Sequence, residues 1–189
     1  MDRNDAIDEM LAERAITKVI FDYCQGADRR DWDLVRACYH DDAQDSHGAF
    51  VGRPDELVDW LQNRHQHLPS STHVVTNVSI RFREGREQAR VESYILSLQI
   101  VDPSGGDSFA GDIEGQVFTR IMARYVDTFQ LRPGIGWRIQ QRTVAYDWML
   151  PPVPANFAAL DPAWTKSQRD KSDVLYAPWP ESDVINKEE

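Results

Sequence analysis

The sequence is poor in cysteine: Cys24 and Cys38 are the only two among 189 residues, and they form no CxxC motif. A disulfide framework or a cysteine-rich zinc site needs more thiols at regular spacings. Both cysteines lie in segments that are partly apolar and helical in pattern. We therefore expect two free, structural thiols in a reducing cytoplasm.

Long apolar runs and an excess of positive charge are also absent. No stretch approaches the roughly 18 apolar residues of a membrane span, and the first 14 residues are charged, unlike a secretion signal. The formal net charge is −10, whereas nucleic acids and anionic membranes are bound by basic surfaces. We expect a soluble, cytoplasmic protein whose partner is neither a nucleic acid nor a membrane.

Sequence motifs for cofactors are missing. There is no glycine-rich phosphate loop and no nucleophile elbow, and the glycines on either side of Ile135 indicate a hairpin turn because no helix follows them. The segment 40–47 contains two histidines and three aspartates, but their spacing matches neither a helical two-histidine motif nor a zinc site. We expect no bound metal or cofactor, which leaves cofactor-free chemistry or simple binding.

The composition instead indicates one folded domain followed by a tail. An apolar fraction of 41% and six tryptophans argue against disorder, and we assign the domain to residues 1–150. Residues 151–189 differ, because six of the ten prolines lie between Pro151 and Pro180. A tail rich in proline and aromatic residues is expected to wrap over its own domain or a neighbouring subunit.

The first part of the domain has helical periodicity. Apolar residues recur every three or four positions over 7–23, which predicts a first helix ending near Gly26. Asp31 is expected to cap a short second helix over 32–39. Asp28 would then lie in the tight connection between the two helices.

Strands dominate the remainder of the domain. An irregular hairpin is predicted over 43–51, and a third helix begins at Arg53 and ends before Pro69. Four β-like stretches follow, separated by glycine and proline turns: 72–82, 88–102, 115–131 and 136–148. Helices followed by an antiparallel meander predict an α+β fold.

Strand alternation divides the possible site residues between faces. In the first long strand, His73, Val75 and Asn77 share one face, and the other carries Val74, Val78, Ile80 and Phe82. In the third, Tyr125 and Asp127 share an apolar face with Ile121, Ala123 and Phe129, so they could line a pocket. Cross-strand charge pairing is the expected role of Arg124 and Arg142.

Two polar residues from separate segments could form a metal-free base. Asp28 follows the first helix and His73 begins a strand, and a carboxylate that orients an imidazole is the minimum such a base needs. Tyr23 lies about one turn before Asp28, and His47 could be a second pocket histidine. The sequence alone does not show that Asp28 and His73 are close in space.

Four stretches carry a resemblance to a known family: 15–33 (AITKVIFDYCQGADRRDWD), 39–52 (YHDDAQDSHGAFVG), 71–80 (STHVVTNVSI) and 124–148. In their order and spacing, the chain resembles SnoaL-like members of the superfamily named after nuclear transport factor two. The resemblance covers about the first 150 residues. It implies a cone-shaped α+β barrel in which N-terminal helices pack on a curved antiparallel sheet enclosing a hydrophobic pocket.

The resemblance also implies a function. Members include scytalone dehydratase, bile-acid 7α-dehydratase, hexachlorocyclohexane dehydrochlorinase and lyases that deformylate lignin-derived diarylpropanes, all without cofactors. Their aspartate and histidine fall on Asp28 and His73, and the helix tyrosine of the dehydratases falls on Tyr23. We therefore expect a lyase that removes water, formaldehyde or halide from a hydroxylated aromatic or steroid-like substrate.

Further expectations follow from the same resemblance. His73 would remove a proton, and Tyr23 would hydrogen-bond the leaving group. Secondary substrate contacts are expected from four residues: His47, Asn77, Tyr125 and Asp127. Relatives commonly form dimers or trimers, so a homo-oligomer is expected. Two alternatives remain open, namely an isomerase or cyclase on the same scaffold and a non-catalytic module that binds hydrophobic ligands.

Overall fold

The first helix begins at a capping box. In the computed structural model, which describes residues 2–105 and 113–179, α1 spans Arg3–Arg29. The Asp2 carboxylate accepts a hydrogen bond from the Asp5 N–H at 2.8 Å, which satisfies a donor that the helix start leaves unpaired. The predicted apolar face is buried only in the second half of α1, where the buried apolar residues are Ile16, Val19, Ile20, Tyr23, Cys24 and Ala27. Ile7 and Leu11, which belong to the predicted face, are exposed.

The end of α1 differs from the prediction and changes the position of Asp28. The helix does not stop near Gly26 but continues to Arg29, and Arg30 ends it with a left-handed φ of 53°. Gly26 has a packing role instead, because a Cβ there would lie 2.8 Å from Val35 Cγ2. Asp28 therefore lies in the rigid last turn of α1 and not in a loop.

The other two helices are short. α2 spans Trp32–Ala37, and Asp31 precedes it without making the predicted side-chain cap. It ends before the predicted limit of 39 because Tyr39 already begins a strand. α3 spans Pro54–His65, and the Glu56 carboxylate accepts a hydrogen bond from the Arg53 N–H at 2.7 Å at its start.

Six strands form one sheet. The predicted hairpin over 43–51 is confirmed and begins earlier, as β1 (Tyr39–His47) and β2 (Phe50–Gly52). The four long strands are β3 (Ser70–Phe82), β4 (Gln88–Val101), β5 (Val117–Arg132) and β6 (Gly136–Pro154). Their order is β2-β1-β6-β5-β4-β3.

The sheet is mixed and open. The meander from β3 to β6 is antiparallel as predicted, but β1 pairs with β6 in parallel, so the expectation of a purely antiparallel sheet is wrong. β1 reaches β6 across the molecule and not through a hairpin, and only hairpin neighbours must be antiparallel. α1 packs on β3 and β6, and α3 packs on β1. The cone-like α+β class is confirmed.

A bulge in β3 overturns the predicted division of its faces. Asn77 adopts a left-handed φ of 49°, and the pairing with β4 shifts register between Thr76 and Ser79. An extra residue in one strand reverses the alternation beyond it. His73 and Val75 thus face inward with Val78, whereas Val74 points outward and is 41% exposed.

β6 extends past the predicted domain boundary at residue 150 and reaches Pro154. Its distal end pairs with β5, whereas its register with β1 ends at Thr143. Prolines lack an N–H, and a strand with a neighbour on one side only can accommodate them. Residues 155–179 follow with one short 3₁₀ turn at Val174–Tyr176, and the rest of the predicted tail, 180–189, lies outside the described residues.

None of the helices in the described part of the chain combines the length and the apolar character that crossing a membrane requires.

Candidate active site

The structure brings Asp28 and His73 together. Asp28 Oδ1 lies 2.7 Å from His73 Nδ1 and accepts a hydrogen bond from Ser71 Oγ at 3.0 Å. Asp28 Oδ2 accepts the backbone N–H of His73 at 2.8 Å. The carboxylate, which is 8% exposed, therefore holds both the backbone and the ring of His73. A proton on Nδ1 donates to Asp28 and leaves Nε2 as the basic nitrogen.

His73 borders a cavity enclosed by α3 and the concave face of the sheet. The cavity has a volume of about 50 Å³, or about 430 Å³ when the empty space that opens to solvent is counted. Its closed part is therefore smaller than pockets for small organic ligands, which typically measure about 300–1,000 Å³. The walls are mostly apolar or aromatic, and the lining residues are His47, Trp60, Arg64, His73, Ile95, Ser97, Gln99, Ile121, Ala123, Tyr125, Val144 and Tyr146.

An open groove borders the dyad on the other side. Asp28 and His73 line it together with residues of α1 and with Leu175 from the tail. His73 therefore lies between a groove and a cavity. Of the two, the cavity contains the second histidine, His47, and the aromatic walls, so it is the better binding site for an apolar substrate.

Tyr23 lies in the core and does not line the cavity. It is 1% exposed, and its ring makes edge contacts with Tyr39 and Tyr125 at centroid distances of 6.0 and 5.7 Å. Burial raises the pKa of Tyr23 far above its ordinary value. The structure thus places Tyr125 on the cavity wall and Tyr23 behind it.

Asp127 is engaged in a buried ion pair. Both carboxylate oxygens accept hydrogen bonds from Arg142, at 2.8 and 2.7 Å, and both side chains are completely buried. Arg142 also lies over the rings of Tyr23 and Tyr125, at 4.4 and 3.9 Å from their centroids. The predicted cross-strand pairing of Arg142 is confirmed, and Asp127 serves this pair and does not line the cavity.

The remaining predicted contacts divide clearly. His47 and Tyr125 line the cavity, and the His47 ring lies 5.7 Å from that of Trp60. Asn77 is exposed at the bulge of β3 and does not line the cavity. As predicted, Arg124 pairs across strands, with Glu92 at 2.7 Å.

Within residues 2–105 and 113–179, no three histidine, cysteine, aspartate or glutamate side chains converge as a metal site would require. Both cysteines are free and buried. Burial raises the pKa of the Cys38 thiol to about 12.

Comparison with known proteins identifies the family. A model of the SnoaL-like domain matches residues 8–143, more than half of the chain. The chain belongs to the SnoaL-like family. A comparison with curated protein sequences finds no match.

Solved structures share the SnoaL-like fold. A hexachlorocyclohexane dehydrochlorinase of type 3 from Novosphingobium barchaimii is similar with a TM-score of 0.68 and 18% identity, over 83% of this chain and 99% of that chain. A candidate scytalone dehydratase from Novosphingobium aromaticivorans has a TM-score of 0.62 and 18% identity, over 84% of this chain and 100% of that chain. A Nostoc punctiforme protein of unknown function has a TM-score of 0.56 and 15% identity, over 72% of this chain and 92% of that chain. At such identities the likeness establishes the fold alone.

Several cavity residues of this SnoaL-like chain were not predicted as site residues: Trp60, Arg64, Ser97, Gln99 and Tyr146. The alternation of buried and partly buried residues in β4 could have identified two of them. Its inward face alternates regularly from Ala89 to Val101, and Ser97 and Gln99 are polar positions on that face. The hydroxyl of Ser97 is buried and has no hydrogen-bond partner within the described part of the chain, so a substrate could use it.

The tail of the SnoaL-like chain ties together the elements that carry the dyad. The Arg169 guanidinium donates hydrogen bonds to the carbonyls of Ala27 at 3.0 Å and Asp28 at 2.9 Å, and to the carbonyl of Leu68. Asp28 lies in the last turn of α1, whereas Leu68 precedes β3, the strand of His73. Burial and neighbouring cations lower the pKa of Arg169 to about 10, so it remains charged near neutral pH.

We expect Arg169→Ala to weaken both stability and activity. The carbonyls of Ala27 and Asp28 at the end of α1, and that of Leu68, would lose a charged donor, so the free energy of unfolding should fall by about 2 kcal/mol or more. A shift of Asp28 should lower turnover by about 10-fold. Urea unfolding and steady-state kinetics measure the two effects. Arg169→Lys is the matched control, since lysine keeps the positive charge but lacks the planar guanidinium that reaches several carbonyls at once. An unchanged unfolding midpoint and turnover would contradict this role.

His65 should make the fold sensitive to acid. It is buried and accepts a hydrogen bond from Arg169 at Nδ1, 2.8 Å away. Burial, together with Arg169 and Arg64, lowers the pKa of His65 well below its ordinary value. Below about pH 6.5, His65 binds a proton in the unfolded chain but not in the folded chain. The free energy of unfolding should therefore decrease as the pH decreases, by up to about 1.4 kcal/mol per pH unit from this group.

The test is urea unfolding between pH 7.5 and 5 with wild type and His65→Gln. The variant cannot gain the proton, so its stability should depend less steeply on pH. At about pH 7.5 and above, nearly all of the wild type carries a neutral imidazole in both states, so almost no slope from His65 is expected. Identical slopes in the two proteins at acidic pH would refute the assignment.

Proposed function

We propose that this chain is a cofactor-independent lyase, which removes water or formaldehyde from a hydroxylated aromatic or steroid-like molecule by base-assisted elimination. The hydrogen bond from His73 Nδ1 to Asp28, made at the wall of an apolar cavity, carries the proposal. It fixes an imidazole whose other nitrogen, Nε2, is free to accept a proton from a substrate.

The proposed step begins with His73 Nε2. It accepts a proton from the substrate carbon, or from a hydroxyl when formaldehyde leaves, and Asp28 stabilises the imidazolium that forms. The carboxylate is already bound by Ser71 and by the backbone of His73, so it needs little rearrangement during the reaction. Preorganised groups of this kind stabilise developing charge at low cost.

The cavity walls support an apolar, ring-containing substrate. Trp60, Tyr125 and Tyr146 offer aromatic faces, and Ile95 and Ile121 add aliphatic surface. Gln99, which binds Arg64 at 2.9 Å, and the Ser97 hydroxyl could orient polar substituents. A largely apolar cavity with a few convergent polar groups is typical of small-molecule sites.

We assign Tyr23 a supporting role in this proposal. Its ring contacts Tyr125, a wall residue, and Arg142, and its position behind the wall does not support direct contact with a leaving group. The proton donor in the proposed reaction is therefore a residue of the cavity wall.

Product mass spectrometry tests the proposal. Wild type and His73→Ala are incubated with hydroxylated aromatics, steroids and diaryl compounds bearing a hydroxymethyl group, without added metal or cofactor. Loss of the mass of water or formaldehyde with wild type only is the expected result. A product of unchanged mass would instead identify an isomerase or cyclase. Tight binding of a ligand by both proteins without turnover would identify a binding module.

A further inference from the structure

A second carboxylate and imidazole meet at the cavity. Asp45 and His47 are two residues apart in β1, so their side chains lie on the same face of the strand. Asp45 is 1% exposed, and its Oδ2 accepts a hydrogen bond from Tyr39 Oη at 2.7 Å. Its other oxygen, Oδ1, lies 3.6 Å from His47 Nδ1.

The two facing atoms of this pair are unsatisfied. Asp45 Oδ1 and His47 Nδ1 are both buried, and neither makes a hydrogen bond within the described part of the chain. A buried polar atom without a partner is costly. A proton on His47 Nδ1 would give Asp45 Oδ1 its missing donor after a movement of a few tenths of an ångström. The rest of the ring lines the cavity, so Nε2 is the nitrogen available to a substrate.

We propose that His47 is the acid of the reaction, that Asp45 is its positioning residue, and that the leaving group is water. This inference rests on the proposed function, because it needs His73 as the base. His73 accepts the proton of a C–H bond, whose electrons form the new double bond. His47 enters this step with a proton on both ring nitrogens. The C–O bond breaks, and the Nε2 proton of His47 passes to the departing oxygen, which leaves a neutral imidazole protonated at Nδ1. Water leaves, and exchange with solvent restores both imidazoles.

The chemistry of the leaving group explains why a second imidazole is needed. Hydroxide leaves poorly, and a donor that delivers a proton in the transition state contributes about 10²–10⁴-fold to such a step. A carboxylate leaving group already carries its charge stably and needs no such donor. Two imidazoles on one cavity, each with a buried carboxylate at Nδ1, therefore suit loss of water from an alcohol.

The experiment compares two substrates that differ only in the leaving group. The probes are a β-hydroxy ketone with a phenyl group on the carbinol carbon and its acetate ester, which yield the same enone. Enone formation is followed by absorbance, and the rate without enzyme is subtracted. Four variants are measured with wild type: His47→Gln, Asp45→Asn, His73→Ala and, as a control, His40→Gln. His40 lies in the same strand, outside the cavity, and its Nε2 pairs with the Gln130 carbonyl at 2.9 Å.

The expected pattern is a change in the ratio of the two activities. His47→Gln should lower kcat for the alcohol by about 100-fold and leave the ester nearly unchanged. Asp45→Asn should act in the same direction with a smaller loss, and His40→Gln should leave the ratio unchanged. A structural defect would lower both activities together, so the ratio separates acid catalysis from misfolding.

The outcomes distinguish this inference from the proposed function. Equal loss of both activities in His47→Gln, or no loss for the alcohol, overturns the acid role while the lyase stands. His73→Ala should lose both activities. If His73→Ala retains them, the proposed function fails and this inference fails with it. If wild type converts neither probe, this inference fails, and the product assay with the wider set of compounds decides the proposed function.

Discussion

His73→Ala is expected to lower kcat by about 10²–10⁴-fold, the usual contribution of a positioned general base. The variant removes the basic nitrogen at the cavity wall, and no other imidazole in the described part of the chain contacts Asp28. KM should change little, because the aromatic walls that would bind the substrate remain. Steady-state kinetics with the substrate found by the product assay measures both values.

Asp28→Asn is the matched variant for this prediction. Its amide can still accept the backbone N–H of His73 but can no longer stabilise an imidazolium by charge, so a large loss of kcat is expected here too. Circular dichroism and the unfolding midpoint control for the fold. If His73→Ala keeps its turnover within about threefold of the wild type, His73 is not the general base.

Asp127→Ala is expected to destabilise the fold by about 3–5 kcal/mol, because it leaves the Arg142 charge buried without its partner. The Arg142 side chain is completely buried and lies over the rings of Tyr23 and Tyr125. Burial alone would lower the pKa of Arg142, but Asp127 outweighs this and holds the pKa well above its ordinary value. Urea unfolding followed by tryptophan fluorescence measures the loss.

A double variant separates the charge from the packing. Asp127→Leu combined with Arg142→Met replaces the pair by apolar groups, and it should cost clearly less than the sum of the two single changes. The coupling arises because each single change leaves one buried charge without a partner, whereas the double change removes both charges. A loss below about 1 kcal/mol for Asp127→Ala would show that water reaches Arg142 and that the pair is not sealed in the core.

Local pattern was sufficient to predict the elements but not all of their limits. The helix over 7–23 and the four long strands were predicted because amphipathic periods of 3.6 and 2 are written directly into the chain. Gly26 was interpreted as the end of a helix, whereas it allows α2 to approach α1 through Val35. The sequence does not distinguish a glycine that ends a helix from one that allows another helix to pack closely.

The same limit applies to the faces of β3. Alternation assigns faces correctly only while each residue advances the strand by one position. The left-handed Asn77 interrupts this, so Val74 and Val78 lie on opposite faces although they are four positions apart. Nothing in the local pattern marks this bulge.

The sequence by itself determined the α+β class, the SnoaL-like family and the strand that carries His73, whereas it placed Asp28 in a connection and not in the last turn of α1. These depend on residue type and spacing, which are properties of the chain. Only the tertiary structure decided which polar residues share a site. It paired Asp28 with His73, sealed Asp127 against Arg142, placed Tyr23 behind the cavity wall and brought Arg169 from the tail to the end of α1. Such contacts join residues far apart in the chain, and they are set by the packing of whole elements, which no local pattern records.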